Sequence, residues 1–157
     1  SDSIREQSKL KIQQIVTYCL KFVFDLELEF VIELEELRNR TEAEFYILTK
    51  FKDAEIKTRL IDSRGGGVID VVSLALRIAL LLYSNYDAEG PIILDEPAKH
   101  VSNQNIPQIA GFLKKISELF NKQIIMVTHD KYLIEVADAA YNVNYNFGVS
   151  HIEKIEQ

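Results

Sequence analysis

Apolar residues near the start of the chain recur at helical spacing: Ile12, Ile15, Val16 and Cys19, with Lys9, Lys11, Gln13 and Gln14 between them. This predicts an amphipathic helix over 1–21, long enough to be the root of a coiled coil. The period then drops to two. Phe22, Phe24, Leu26, Leu28, Phe30, Ile32 and Leu34 alternate with Asp25, Glu27, Glu29, Glu33 and Glu35, the pattern of one long strand, or two in succession, with a wet face. Arg38-Asn39-Arg40-Thr41 reads as a polar turn, and 42–51 alternates again through Ala43, Phe45 and Ile47, so the two runs are expected to pair as an antiparallel hairpin. A turn at Lys52-Asp53-Ala54 leads to a third short strand near 56–61.

Beyond Asp62-Ser63-Arg64-Gly65-Gly66-Gly67 the character changes. Positions 68–83 are almost wholly apolar, with Asp70 and Arg77 the charges, and predict a buried helix. A polar break over 84–91 precedes an apolar strand ending in acid, Ile92-Ile93-Leu94-Asp95-Glu96-Pro97, and an amphipathic helix over 105–120 follows. A second apolar strand, 123–128, ends at His129-Asp130, with a short helix after it. Strand, helix, strand, helix at these spacings predicts two parallel strands joined by a right-handed crossover and covered by helices. The tail, 139–155, reads as two short strands around Phe147-Gly148. The fold class is therefore α/β. A helix (1–21) leads into a lobe of three parts: β-rich (22–61), α/β (62–140) and a closing β hairpin (141–157).

Composition narrows the function. At 157 residues with 47% hydrophobic and 27% charged, the chain has enough apolar residues for one core and is no disordered tail. It holds no apolar run of about 18 residues, so no membrane span is expected, and its first residues lack the layout of a secretory signal. A lone cysteine, Cys19, forms no internal disulfide and reads as a small core residue, which makes a reducing, cytoplasmic setting the simpler expectation. The segment 25–44 has eight acids and two bases, the whole net charge of −6, with the rest balanced at sixteen of each. A DNA-gripping surface, if there is one, lies outside that segment or on a partner.

The polar residues capable of chemistry gather at strand ends, where open parallel sheets keep their reactive groups. An apolar strand closing on adjacent acids suits nucleoside triphosphate hydrolysis: one carboxylate on the magnesium side, the next taking a proton from water. Strand-ending acids also occur simply because they face water, so Asp95-Glu96 alone leaves both readings open.

Taken outward, the segment resembles a family. Positions 92–97 resemble the Walker B motif of ABC-type ATPases, 98–102 their D-loop, and 125–130 their switch-histidine strand. Gly65-Gly66-Gly67, eight residues ahead of Ala75-Leu76, stands where that family keeps its signature loop and the helix after it. The helix and acidic hairpin ahead of the signature resemble the SMC and RecN group and the nuclease-partnered repair ATPases, whose heads are split by a coiled coil. Phage-borne relatives of that group are one form the likeness could take.

The resemblance implies the C-terminal lobe of a P-loop NTPase, one half of an ATPase head that acts on ATP with Mg2+. Glu96 would be the general base, His129 the γ-phosphate or water contact, and Asp95 the magnesium-side carboxylate. Gly65, Gly66 and Gly67 would present backbone N–H groups to the nucleotide held by the opposite head. Gly65 takes the position of the usual signature serine and Val68 that of the acid, so Ser63 or Arg64 would supply the lost contact. Lys99, His100 and Ser102 would face the second head across a two-fold axis, Ser102 standing where relatives often carry aspartate. The implied partners are the missing N-terminal Walker A half, a second head forming a homodimer, DNA for the full protein, and a nuclease. No glycine-rich loop ending in lysine and serine or threonine occurs, so the isolated chain is expected to be inactive.

The ordinary readings remain beside these: a flexible glycine turn before a core helix, a strand-capping His129, a solvated Lys99, an unremarkable His151. Two other functions fit the same residues. Asp95, Glu96 and Asp130 could hold a divalent metal for phosphodiester cleavage. Alternatively, a degenerate signature and an acidic hairpin could make a non-catalytic assembly module.

Overall fold

The computed structural model describes residues 2–37, 40–63, 67–83 and 90–156. Helix α1 spans Asp2–Val23 and buries Ile15, Val16, Cys19, Leu20 and Val23 along one stripe. It runs past the end expected from the alternating pattern. Phe22 lies in its last turn, the Phe24 N–H still donates to the Leu20 carbonyl at 2.9 Å, and residues 24–26 bend. Leu20, Phe22 and Phe24 fit a period of two, whereas Val23, three residues after Leu20, fits only the helical period, and its packing into the core favours the helix. The first strand therefore begins at Leu28, six residues later than the alternation suggested.

Strands β1 (Leu28–Leu37), β2 (Arg40–Lys50) and β3 (Glu55–Arg59) form an antiparallel sheet in that order. Leu37 pairs with Arg40 at the hairpin end. Leu28, Phe30, Ile32 and Ile47 face the core, and the Phe30 and Phe45 rings lie 5.6 Å apart. The opposite face carries the acids, as expected of a wet face. There Lys50 binds Glu29 at 2.7 Å, Lys57 pairs with Glu33, and Arg59 meets Glu44 at 3.3 Å. The Glu29 carboxylate, through its hydrogen bond and its charge, holds the Lys50 ammonium above its usual range. A 3-10 turn, Leu60–Asp62, takes the place of the end of the third expected strand.

The outer edge of β1 is closed by α1. Its Phe30 N–H donates to Thr17 Oγ1 at 3.0 Å, and its Ile32 N–H donates to Gln13 Oε1 at 2.8 Å. Thr17 and Gln13 stand four residues apart, one turn of helix, matching two alternate amides of the strand. Two donors that a bare sheet edge would leave open are thus paired.

Helix α2 occupies Val68–Tyr83, the span that its apolar run predicts, and buries Val71, Val72, Leu74, Ala75, Ile78 and Ala79. It packs along α1. Strands β4 (Ile92–Asp95) and β5 (Ile124–Val127) pair in parallel, with helix α3 (Ile106–Phe120) as the crossover and helix α4 (Lys131–Val136) after β5. Asn121 ends α3 in the left-handed conformation at φ 48°, a usual helix stop. Ile92 and Leu94 join the core with Ile109, Phe112, Leu113 and Ile116 of α3. Helices cover only that face. Ile93, Ile125 and Val127 point the other way and are exposed, so the two-sided cover expected of a parallel pair is half realised among the described residues.

Strands β6 (Tyr141–Asn146) and β7 (Val149–Lys154) form the expected closing hairpin. Its turn, Phe147-Gly148, has φ of 48° and 83°, the two positive values that suit a tight hairpin. Tyr141, Val143, Tyr145 and Ile152 share one face; Asn142, Asn144, His151 and Glu153 share the other, and all are exposed. Cys19 is fully buried, and desolvation pushes its thiol well above the ordinary range, which fits its reading as a small core residue.

Phe30, fully buried at the junction of α1 and the sheet, tests this packing. Phe30→Ala is expected to destabilise the fold by about 3 to 5 kcal/mol, read as a lowered urea midpoint at unchanged slope.

Candidate functional site

Parallel pairing aligns Asp95 with Val127, which carries the residues after each strand to the same end of the sheet. Glu96 is the first residue beyond β4. It adopts φ 44°, a left-handed conformation that costs a non-glycine residue about 1 to 3 kcal/mol when bulk and context disfavour it. Its surroundings hold it there. The Glu96 N–H donates to the Val127 carbonyl at 2.8 Å, and its own carbonyl accepts from the Lys99 N–H at 3.2 Å.

The Glu96 carboxylate is held at both oxygens. His129 Nδ1 lies 2.6 Å from Oε1, and Thr128 Oγ1 donates to Oε2 at 3.4 Å. With Glu96 ionised, Nδ1 carries the ring proton and donates it. The two side chains differ in exposure, 27% for Glu96 and 82% for His129. Histidine can therefore turn away without disturbing the core, whereas the carboxylate sits against the protein.

Thr128 has a second bond: its oxygen accepts from the Asp130 N–H at 3.1 Å. Asp130 in turn caps α4, its Oδ1 accepting from the Leu133 N–H at 3.0 Å. Residues 127 to 130 thus form a continuous brace running from the strand end to the start of α4, with Glu96 clasped along it.

Beside this brace opens a cleft of about 480 Å3 lined by Glu96, Lys99, Asn103, Thr128, His129 and Tyr132, among others. A smaller groove of about 90 Å3 adjoins it, lined by Asp70, Ser73, Arg77, Glu96, Lys99 and His100. Glu96 and Lys99 border both.

The sequence-predicted residues divide accordingly. Glu96, His129 and Lys99 come together at the cleft, and His100 lies in the groove against α2. Asp95 ends β4 with an exposed side chain beside them. Ser102, also exposed, lines neither opening; its carbonyl accepts from the Asn105 N–H at 2.8 Å. Ser63 caps the 3-10 turn, its hydroxyl donating to the Arg59 carbonyl at 3.4 Å. Gly67, at φ 73°, accepts the first α2 bond from the Val71 N–H. Arg64, Gly65 and Gly66 lie outside the described residues. Asn103, Lys131 and Tyr132 line the cleft without having been singled out in the sequence; Thr128 was read only as part of the 125–130 run, and cross-strand register sets it against Glu96.

For a metal-dependent nuclease the three acids would have to converge. Asp130 is instead committed to capping α4 and Glu96 to His129. Among the described residues no three histidine, cysteine or carboxylate side chains form a metal-binding group. A single exposed strand-end carboxylate does fit Mg2+, which binds through one or two carboxylates together with nucleotide phosphates; Asp95 is the residue of that kind here.

Comparison with known proteins gives a consistent picture. No family model matches the sequence. The DNA double-strand break repair Rad50 ATPase of Methanocaldococcus jannaschii is 29% identical over 130 residues, 83% of this chain and 12% of that protein. The DNA repair protein rad50 of Schizosaccharomyces pombe is 31% identical over 101 residues, 62% of this chain and 8% of its own length. The chain thus spans between 8% and 15% of the length of the curated relatives it matches. In fold it resembles the SMC head domain from Thermotoga maritima, at TM-score 0.66 and 24% identity over 94% of this chain and 48% of that one. A structure from work on ATP-driven dimerization and DNA-stimulated activation of SMC ATPases superposes at TM-score 0.78 and 17% identity, covering 99% of this chain and 90% of the other. No helix among the described residues is long and apolar enough to cross a membrane.

Asp130 offers a check on the brace itself. Asp130→Ala removes the side-chain cap of α4 and is expected to cost about 0.5 to 2 kcal/mol of stability, measured by urea denaturation.

Proposed function

We propose that this chain, similar in sequence to Rad50 ATPases and in fold to SMC heads, is the C-terminal half of an ABC-type ATPase head and supplies the water-activating side of an ATP site. Its neighbour in that site would be the N-terminal Walker A half, which cradles the phosphates. One observation carries the reading most directly: the Glu96 carboxylate, at the end of a parallel strand, held jointly by the two residues that follow the adjacent strand.

In this mechanism Glu96 accepts the proton of the attacking water as the bond to the γ phosphorus forms and ADP leaves. His129, now paired with Glu96 at 2.6 Å, turns its exposed ring toward the γ phosphate. Asp95 would hold Mg2+, whose chemistry is to neutralise phosphate charge. Lys99, His100 and Ser102 would face a second head in a homodimer, and Gly65, Gly66 and Gly67 with Ser63 or Arg64 would approach the nucleotide held by that head. Dimerization driven by ATP and activation by DNA are named for the SMC ATPases that the fold resembles, and binding to the winged-helix domain of ScpA for another SMC head. We extend the dimer and the DNA to the full protein here, together with a nuclease partner and a cytoplasmic location.

The surface supports a missing lobe. Ile93, Ile125 and Val127 on one face of β4–β5, and Tyr141, Val143, Tyr145 and Ile152 on one face of the closing hairpin, are exposed apolar patches that no described residue covers. A second reading, a non-catalytic assembly module, draws on one feature: Gly65 and Val68 stand at the signature serine and acid positions.

Hydrolysis by the complete head decides between them. The isolated chain is expected to show no turnover, and joining the Walker A half restores it. Glu96→Gln in the joined head should lower kcat by about two to four decades while ATP still binds, read by phosphate release and a fluorescent-nucleotide titration. Assembly without any turnover would favour the scaffold; parent-like turnover by Glu96→Gln would end the proposal for Glu96.

A further inference from the structure

The bonds around Glu96 assign work to a residue that the resemblance leaves without a role. We propose that Thr128 is a positioning residue for the Glu96 carboxylate, keeping it in place while His129 is drawn to the nucleotide. The inference rests on the reading of Glu96 as the water-activating group.

Three contacts hold Glu96 to the end of β5. Its N–H is bound to the Val127 carbonyl at 2.8 Å, Oε2 faces the Thr128 hydroxyl at 3.4 Å, and Oε1 faces His129 Nδ1 at 2.6 Å. These contacts differ in permanence. The backbone bond fixes where the side chain starts but leaves its own torsions free. The His129 contact is the shortest, yet it is made by a ring 82% exposed, and it is given up if that ring turns to a phosphate. Thr128 then remains as the side-chain partner.

The direction of the Thr128 bond is set by its other neighbour. A hydroxyl has one proton to give and lone pairs to accept with. The Asp130 N–H donates into Oγ1 at 3.1 Å, so the hydroxyl proton is left to point at a different acceptor, and Glu96 Oε2 is the one within reach. The chain Asp130 N–H to Thr128 O–H to Glu96 carboxylate runs in one sense, and each link polarises the next. A separation of 3.4 Å is long for such a bond; catalytic contacts of this kind commonly tighten when substrate is bound.

Thr128 is also anchored. It is half-buried, between β5 and the cap of α4. Threonine has a stiff χ1, so the hydroxyl is held at a fixed height above the strand end. Serine would offer the same oxygen with less constraint, and valine the same shape without it.

Those two substitutions make the test, in the complete head with its Walker A half and with Glu96→Gln measured alongside. Thr128→Val is expected to lower kcat by about tenfold or more, within the roughly hundredfold loss that a misplacement of about 1 Å can cause. The KM for ATP and the affinity for a non-hydrolysable ATP analogue should stay within about twofold. Thr128→Ser should recover most of the lost kcat. Loss of kcat in both variants alike, loss of ATP affinity in step with kcat, or parent-like kcat in Thr128→Val would each overturn the proposal. Glu96→Gln separates the causes: if it abolishes turnover while Thr128→Val does not lower kcat, Thr128 alone is wrongly assigned, and if it turns over normally both assignments fall. Thermal unfolding of each variant, expected within a few degrees of the parent, excludes a folding defect; should Thr128→Val unfold early, the kcat of folded Thr128→Ser and of Thr128→Ala decides in its place, with recovery in serine and loss in alanine expected and equal values overturning the assignment.

Discussion

The parallel bond between Glu96 and Val127, N–H to carbonyl at 2.8 Å, is the constraint on which the site depends. Strands β4 and β5 are only four residues each. A slip of one residue in their register would turn Leu94 out of the core and carry Glu96 away from Thr128 and His129. Core packing of Ile92 and Leu94 against α3 therefore fixes the geometry of the polar residues one step beyond. The unusual φ of Glu96 follows from the same bond: the strand must end, keep its last ladder contact, and turn its carboxylate sideways toward β5. On the role proposed for Glu96, function and fold share one hydrogen bond, which accounts for a strained residue just beyond a short strand.

A second constraint joins α1 to this lobe. Thr17 and Gln13 bond the outer edge of β1, while the helix also packs on α2. Apolar packing alone would let a helix roll or slide over a sheet, because dispersion contacts are undirected. Two hydrogen bonds to alternate strand amides fix its rotation and its height at once. A helix seated this way moves with the sheet as a unit, and α2, which leads from Gly67 toward the core, lies against it.

Most of the architecture was legible because the apolar runs are long or strictly periodic. The α2 run leaves no choice of element, β5 is bounded by Gln123 and Thr128, and α4 opens on Asp130. Phe22 and Phe24 misled because the alternation extends back into the last turn of the helix, where Phe22 is exposed, and burial of Val23 marks the helical period instead. At the site, Asp95, Glu96 and His129 could be found because strand ends announce themselves. Thr128 could not: a threonine after an apolar run is an ordinary strand residue until the register across the sheet sets it against Glu96. The cover on β4–β5 was overestimated for a related reason. Periodicity says that a strand is apolar on both faces, and says nothing about whether both covers belong to the same piece of chain.

Surface area gives that last point a scale. A compact monomer of 18.0 kDa should expose about 8,000 Å2, whereas this chain exposes 11230 Å2. The difference is of the order of an obligate interface. Ordered apolar faces on the β4–β5 pair and the closing hairpin contribute to it, each with its polar or core-facing side resolved correctly by register. Misfolding would scatter apolar residues without regard to face. A sheet that is right on one side and bare on the other instead fits a lobe whose second cover is another polypeptide segment, and under the proposed function the phosphate-cradling loop would arrive on that cover. Assembly and completion of the site would then be one event, with burial of these faces driving the step that brings the triphosphate to Glu96.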